Sequence, residues 1–194
     1  MKKLLFLGAV LLSPLTGFEQ SWAKQYDHVD NSSSGLSLVG KNEKHGFVDK
    51  DGKVVVPLIY DEALAFSEGY AAVRLEGRWG YIDSLGKVVV QPQYMEALSF
   101  HNGMAVVSNG NYGYIDTSLK VVIPLVYENA SRFSEGLAAV SRNGKWGYID
   151  TKGNEVIPAK FGFAGTFDGG TAKVMKDSKW QVIDKAGRKV GDAE

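Results

Sequence analysis

The stretch RNGKWGYIDTKG, Arg142–Gly153, decides the fold. It sets a tryptophan beside a glycine, then a tyrosine and an aspartate, between two turn-like ends, and it has four partners in the chain. Its core recurs as GFVD at Gly46, GYID at Gly80 and Gly113, and QVID at Gln181, with successive starts 34, 33, 34 and 34 residues apart. His45, Trp79, Tyr112, Trp146 and Trp180 stand immediately ahead of the five cores. Pro57, Pro124 and Pro158 follow eleven residues after the glycine, with Pro92 displaced by one, and Tyr60, Tyr94, Tyr127 and Phe161 follow at fourteen. Tetrads related to FSEG come next, from Phe66, Phe100, Phe133 and Phe167, and each leads into a segment of the LAAV type.

A repeat of this length is shared by helical arrays, so composition has to choose the class. Each unit carries several glycines, a proline and β-branched runs such as Val54–Val56, Val88–Val90 and Val121–Ile123, which are poor material for a helix interior. The reading is strands. LAAV alternates as a first strand, with one face inward and the other free to vary. WGYID is a second strand, apolar on both faces and suited to a central place. The DTKG turn leads to a third strand that its proline ends. Starting at Gly35, Gly69, Gly103, Gly136 and Gly170 gives an all-β chain of five antiparallel three-stranded units of about 34 residues in an open twisted array, with a small propeller-like ring as the alternative. Connectors of about ten residues join them, with Tyr60, Ala63 and Phe66 spaced for a tight turn or a short 3₁₀ piece.

The pattern K-W-G-Y-I-D-x-x-G, the VVIP segment and F-S-E-G-L-A-A-V resemble the WG repeat, also called the KWG repeat, of bacterial proteins, over about Gly35 to Val190. That resemblance implies β-rich repeats, an exported or envelope setting, no general enzymatic activity and a role in protein interaction. It also points to antibacterial effector and immunity systems. The sequence departs from the motif at His45, Tyr112, Leu119 and Gln181.

The N-terminus reads as an export signal over residues 1–23. Lys2 and Lys3 precede an apolar run from Leu4 to Leu15 that is short for a bilayer span, and Ser21 and Ala23 are small residues placed for cleavage before Lys24. Residues 24–34, rich in Ser, Asp and Asn, read as a flexible lead-in, and 35–194 as the repeat domain. The expected location is periplasmic or secreted, with no transmembrane segment after cleavage. Removing Lys2, Lys3 and Glu19 leaves 20 basic and 21 acidic side chains, a balance that argues against a nucleic-acid groove. The chain has no cysteine, which excludes disulfides and thiolate chemistry.

Candidate sites follow from the same alignment. Trp79, Gly80, Tyr81, Tyr112, Gly113, Tyr114, Trp146, Gly147, Tyr148 and Trp180 read as repeat core, because a ring burying about 200 Å² contributes up to about 5 kcal/mol. Asp49, Asp83, Asp116, Asp150 and Asp184 each sit in a D-x-x-G or equivalent turn, without the ligand spacing of a calcium loop, and read as turn formers. No catalytic residue, metal site or cofactor is assigned. Function in a repeat scaffold belongs where the units disagree: Met95 for Asp61 and Glu128, His101-Asn102 for Ser-Glu, and Phe163 for Glu62, Glu96 or Asn129. Tyr70 and Met104, from the varying row of the first strand, make a second candidate surface. The expected partner is another protein, as for an immunity or inhibitor protein. A carbohydrate- or peptidoglycan-binding envelope module is the alternative.

Overall fold

The computed structural model describes residues 21–193; the export signal read at the N-terminus lies for the most part outside them. The described chain forms five antiparallel sheets, each of four strands that follow one another in sequence. The first sheet comprises His28–Val29, Leu36–Lys41, Lys44–Asp49 and Val54–Tyr60, and the second Glu62–Ala63, Tyr70–Leu75, Arg78–Asp83 and Val88–Tyr94. The third is Glu96–Ala97, Met104–Ser108, Tyr112–Asp116 and Val121–Tyr127. The fourth is Asn129–Ala130, Leu137–Arg142, Lys145–Asp150 and Glu155–Phe161, and the fifth Phe163–Ala164, Thr171–Lys176, Lys179–Asp184 and Lys189–Asp192.

The expected three-stranded unit is corrected to four strands. The added strand comes from the connector, where Asp61 N donates to Arg74 O and Leu64 N to Ala72 O, 2.9 Å each, in place of the 3₁₀ turn expected there. Two ladder residues are too few to carry a period in sequence, yet they satisfy backbone groups that the second strand would otherwise leave open. The segment 24–34 likewise supplies His28–Val29, which pairs with Val39 and Gly40. The sheets stack in chain order, and each gap is filled by one apolar cluster. Five stacked sheets with no cluster joining the last to the first form an array that is not closed.

In the first four sheets stacking buries both faces of the second and third strands. The second strand was expected to keep one face free, but Met104 is 7% exposed between the third and fourth sheets. Tyr70 lies against Phe100, ring centroids 5.2 Å apart, with its hydroxyl donating to Thr117 O. Tyr81, Tyr114 and Tyr148 are fully buried, and their hydroxyls donate to Leu98 O, Ser131 O and Gly165 O of the next connector at 2.7–2.8 Å. A buried phenol needs such an acceptor, and here the acceptor belongs to the neighbouring sheet.

The prolines do not end the fourth strand. Pro158 lies inside Glu155–Phe161, where the register with the third strand slips between Trp146↔Phe161 and Tyr148↔Ile157. The fourth strand is the edge of its sheet, so a residue without an N–H is tolerated at the bulge. The bulge folds over the glycine of the motif. A Cβ on Gly147 would lie 2.5 Å from Ile157 O and 2.7 Å from Ala159 N, and Gly46, Gly80 and Gly113 face the same arrangement. Gln181 can replace glycine in the last sheet because Lys189–Asp192 contains no proline and pairs Gln181 with Asp192.

The FSEG tetrads link successive units. Ser33 Oγ donates to Phe66 O at 2.6 Å, Ser67 Oγ to Phe100 O at 2.7 Å and Ser134 Oγ to Phe167 O at 2.7 Å, each 33 residues on. The carboxylates of Glu68 and Glu135 accept from the Gly103 and Gly170 amides of the following units. Before the first sheet the turn Ser21–Gln25 lays Trp22 on Gly52, where a Cβ would come within 2.2 Å of Trp22 Cγ.

Candidate functional site

Strand direction divides the molecule into two rims. One carries the hairpin tips between second and third strands together with the start of each connector strand. The other carries the FSEG turns and the D-x-x-G turns. The candidates from the unit comparison therefore part company. Met95 and Phe163 are exposed on the first rim, two sheets apart, while His101 and Asn102 are exposed in an FSEG turn on the second. Asn102 has a structural use, since its Nδ2 donates to Phe133 O at 3.2 Å where other units use serine. Met104 is core and Tyr70 is packed between sheets, as described above, so neither lies on an open surface.

Met95 occupies the place from which Asp61 and Glu128 reach the hairpin tips; Glu128 accepts from the Asn143 and Gly144 amides at 3.0 and 2.8 Å. Its sheet has a different tip, in which Asn109 Oδ1 accepts from Met95 N and Ser108 Oγ from Gly110 N. The methionine thus answers a rebuilt turn, and it stands 51% exposed.

On the same rim the residue before each motif glycine alternates with the first residue of each connector strand. The resulting series runs at 16–17-residue steps: His45, Glu62, Trp79, Glu96, Tyr112, Asn129, Trp146, Phe163, Trp180. The third strand of one sheet touches the connector strand of the next, which makes the series continuous in space. Through the third sheet its four members other than Trp79 are engaged with polar partners. His45 Nδ1 lies 3.0 Å from Asp61 O, Glu62 pairs with Arg74, and Tyr112 donates to Glu96 at 2.7 Å, which pushes the phenol's pKa up. At the far end the chemistry changes. Phe163 packs at 5.9 Å from Trp146 and 5.5 Å from Trp180, ring planes inclined by 49° and 70°.

Trp79, Tyr112 and Trp146 are half-buried against the core clusters, in keeping with a packing role. Trp180 is corrected: it is 41% exposed, on the last of the five sheets among the described residues. Phe163 is 42% exposed beside it, and this pairing of two open rings was not visible in sequence. The 17-residue offset between them was the available signal. The outer face of the fifth sheet carries Thr171 and Lys173 where the fourth sheet has Leu137 and Ala139, with half-buried Val182 opposite Lys173.

The motif aspartates act in turns. In all five, Oδ1 accepts two backbone amides; for Asp150 these are Lys152 and Asn154, at 2.9 and 2.8 Å. The Ser118 hydroxyl beside Asp116, the Asn154 amide beside Asp150 and the Arg188 backbone amide at Asp184 hold those carboxyls below the usual range. A carboxyl whose folded pKa is depressed adds stability above its unfolded pKa and loses it as pH falls through the folded value. The melting temperature should therefore be level near neutrality and decline between about pH 4 and pH 2. Asp150→Asn with Asp184→Asn, which keeps the Oδ1 acceptors, should make that decline shallower; an unchanged acid slope would refute the assignment. Among the described residues no three of His, Asp and Glu gather closely enough to hold a metal ion.

The sequence profile described as "WG containing repeat" matches residues 46–79, 79–111, 112–146 and 146–180. Solved structures with β-propeller folds are similar in fold. "Crystal structure of the eukaryotic initiation factor" aligns with TM-score 0.55 and 12% identity over 87% of this chain and 55% of that one. "Kluyveromyces lactis Hsv2" aligns with TM-score 0.52 and 13% identity over 81% and 61%. A form of the latter, "KlHsv2 with loop 6CD replaced by a Gly-Ser linker", gives 0.52 and 10% over 84% and 64%. This chain thus spans between 55% and 64% of the length of those chains, and the likeness is one of fold alone. Comparison with curated proteins gave no match.

Proposed function

Because the chain belongs to the WG-repeat family, matched in four stretches between residues 46 and 180, we propose that it is an exported, non-enzymatic scaffold that binds another protein through the aromatic end of its first rim. The observation that carries this reading is the contact series Trp146, Phe163 and Trp180, in which Phe163 and Trp180 stand open and Phe163 takes the place where earlier sheets present Glu62, Glu96 and Asn129. Binding energy concentrates on such rigid, partly exposed aromatics, since two χ angles are little to immobilise and a ring is much to bury. An immunity or inhibitor role in the cell envelope would use this surface to cover part of a partner.

The test is a pull-down from envelope extract with residues 24–194, in parallel with Phe163→Ala/Trp180→Ala. A discrete partner whose affinity falls at least about 30-fold in the variant is the expected result, on the scale of one hot-spot residue. Equal capture by both proteins, or no capture, would defeat the reading. The alternative, a peptidoglycan or carbohydrate binder, predicts that the wild type sediments with purified cell wall and the variant does not. Rings inclined by 49° and 70° do not form the flat platform that a chain of sugars stacks on, which favours the protein reading.

A further inference from the structure

We infer that the partner offers an acidic segment carrying one apolar side chain; this rests on the protein-binding reading above and specifies its chemistry. The connector that introduces Phe163 also removes a carboxylate. In the first sheet Lys41 and Lys44 are cross-strand partners at the hairpin tip, and Lys44 is held at 2.6 Å by Asp61, 17 residues on. In the fourth sheet Arg142 and Lys145 are paired across the strands in the same way, but the residue 17 places after Lys145 is Gly162. In the fifth, Lys176 faces Lys179, and among the described residues no carboxylate is paired with either.

Like charges directly opposite in a hairpin repel, so each tip would gain from a carboxylate brought from outside. All four cations are exposed; Arg142 lies over the Tyr127 ring at 5.2 Å, and none of the four makes an ion pair among the described residues. Glu128 is engaged by the Asn143 and Gly144 amides, Asp192 pairs with Lys189 at 2.5 Å, and Asp177 sits within the last tip. Cationic charge remains in excess, and the two basic tips flank the open rings. Lys145 adjoins Trp146, and Lys179 adjoins Trp180. One apolar side chain set against Phe163 and Trp180, with carboxylates on either side, would satisfy both features together.

The probe is a synthetic 14-residue peptide of Asp and Glu with one central Phe, titrated into residues 24–194 and followed by tryptophan fluorescence and calorimetry. Two controls accompany it, one with every carboxylate as the amide and one with Ala for Phe. Each control should bind at least about 10-fold more weakly, and affinity should fall about 10-fold or more between 50 and 300 mM salt. Lys145→Glu/Lys179→Glu should remove binding while the melting temperature holds. Equal affinity for the amide peptide, no binding of any peptide, or hyaluronate binding equally well and with the same sensitivity to the variant would each overturn the inference. With the natural partner, loss on Phe163→Ala/Trp180→Ala but not on the charge reversal refutes the acidic segment and leaves protein binding standing. Loss on neither refutes both.

Discussion

Gly147→Ala is expected to destabilise the protein by about 3 kcal/mol and to lower its melting temperature by about 6–12 °C. Overpacking by one methyl ordinarily costs about 1–3 kcal/mol because neighbouring side chains can shift. Here the obstruction is main chain. The new Cβ meets Ile157 O at 2.5 Å, Ala159 N at 2.7 Å and Ala159 Cα at 2.9 Å. Moving them would undo the bulge and with it the return of Phe161 to its place opposite Trp146. Gly144→Ala, three residues away, is the control. Its φ is +68° and nothing lies within 4 Å, so only the left-handed backbone penalty of about 1–2 kcal/mol applies. Thermal melts of the two variants should differ in that order, and equal losses would show that the bulge does not press on the motif glycine.

Trp22→Ala is expected to cost about 2 kcal/mol, roughly half the loss for a fully buried tryptophan, since Trp22 is only half-buried. In later units the D-x-x-G glycine backs onto a branched side chain of the preceding sheet. A Cβ on Gly86 would lie 3.1 Å from Val56 Cγ2, one on Gly153 3.4 Å from Ile123 Cγ1, and one on Gly187 3.0 Å from Ile157 Cγ2. At Gly52, in the first sheet among the described residues, Trp22 fills that place, with the Tyr26 ring centroid 6.2 Å from its own. Hydrogen exchange should quicken in Leu36–Lys41 and Lys44–Asp49 and stay unchanged in the fourth sheet, because a stacked array transmits little beyond the next unit. A chain beginning at Lys24, the start that cleavage after Ala23 leaves, should behave like Trp22→Ala. If chains beginning at Ser21 and Lys24 melt alike, the cap has no energetic role.

The repeat, its strand character and the turn function of its aspartates were legible because each rests on local chemistry copied several times. The connector strands were not, since Glu62–Ala63 and its equivalents become strands only when the following hairpin supplies acceptors. The place of Pro158 was misread for a related reason: a strand that resumes after a bulge looks finished when only its first residues are considered. Burial of Met104 escaped the alternation rule, which assumes one open face, whereas stacked sheets cover both. Of the candidate site, Phe163 was visible as a departure from its equivalents, but its contact with Trp180 joins different strands and needed the fold. The basic tips were hidden by a balanced overall charge, which averages over the very positions where Gly162 breaks the pairing.

The serine-to-carbonyl links between FSEG turns bear on descent. Ser33, Ser67 and Ser134 each offer a hydroxyl forward to the phenylalanine carbonyl of the next unit, and Asn102 offers its side-chain amide in the same way, so the two ends of a unit are complementary to each other. A tandem duplication of about 34 codons would insert a unit whose donors and acceptors already match both neighbours, and a deletion would rejoin the remainder just as well. Length is therefore a variable that inheritance can change by whole units without first inventing a new interface. The first and last sheets, where Trp22 covers one end and Thr171 and Lys173 face outward at the other, are the parts such an event must leave in place.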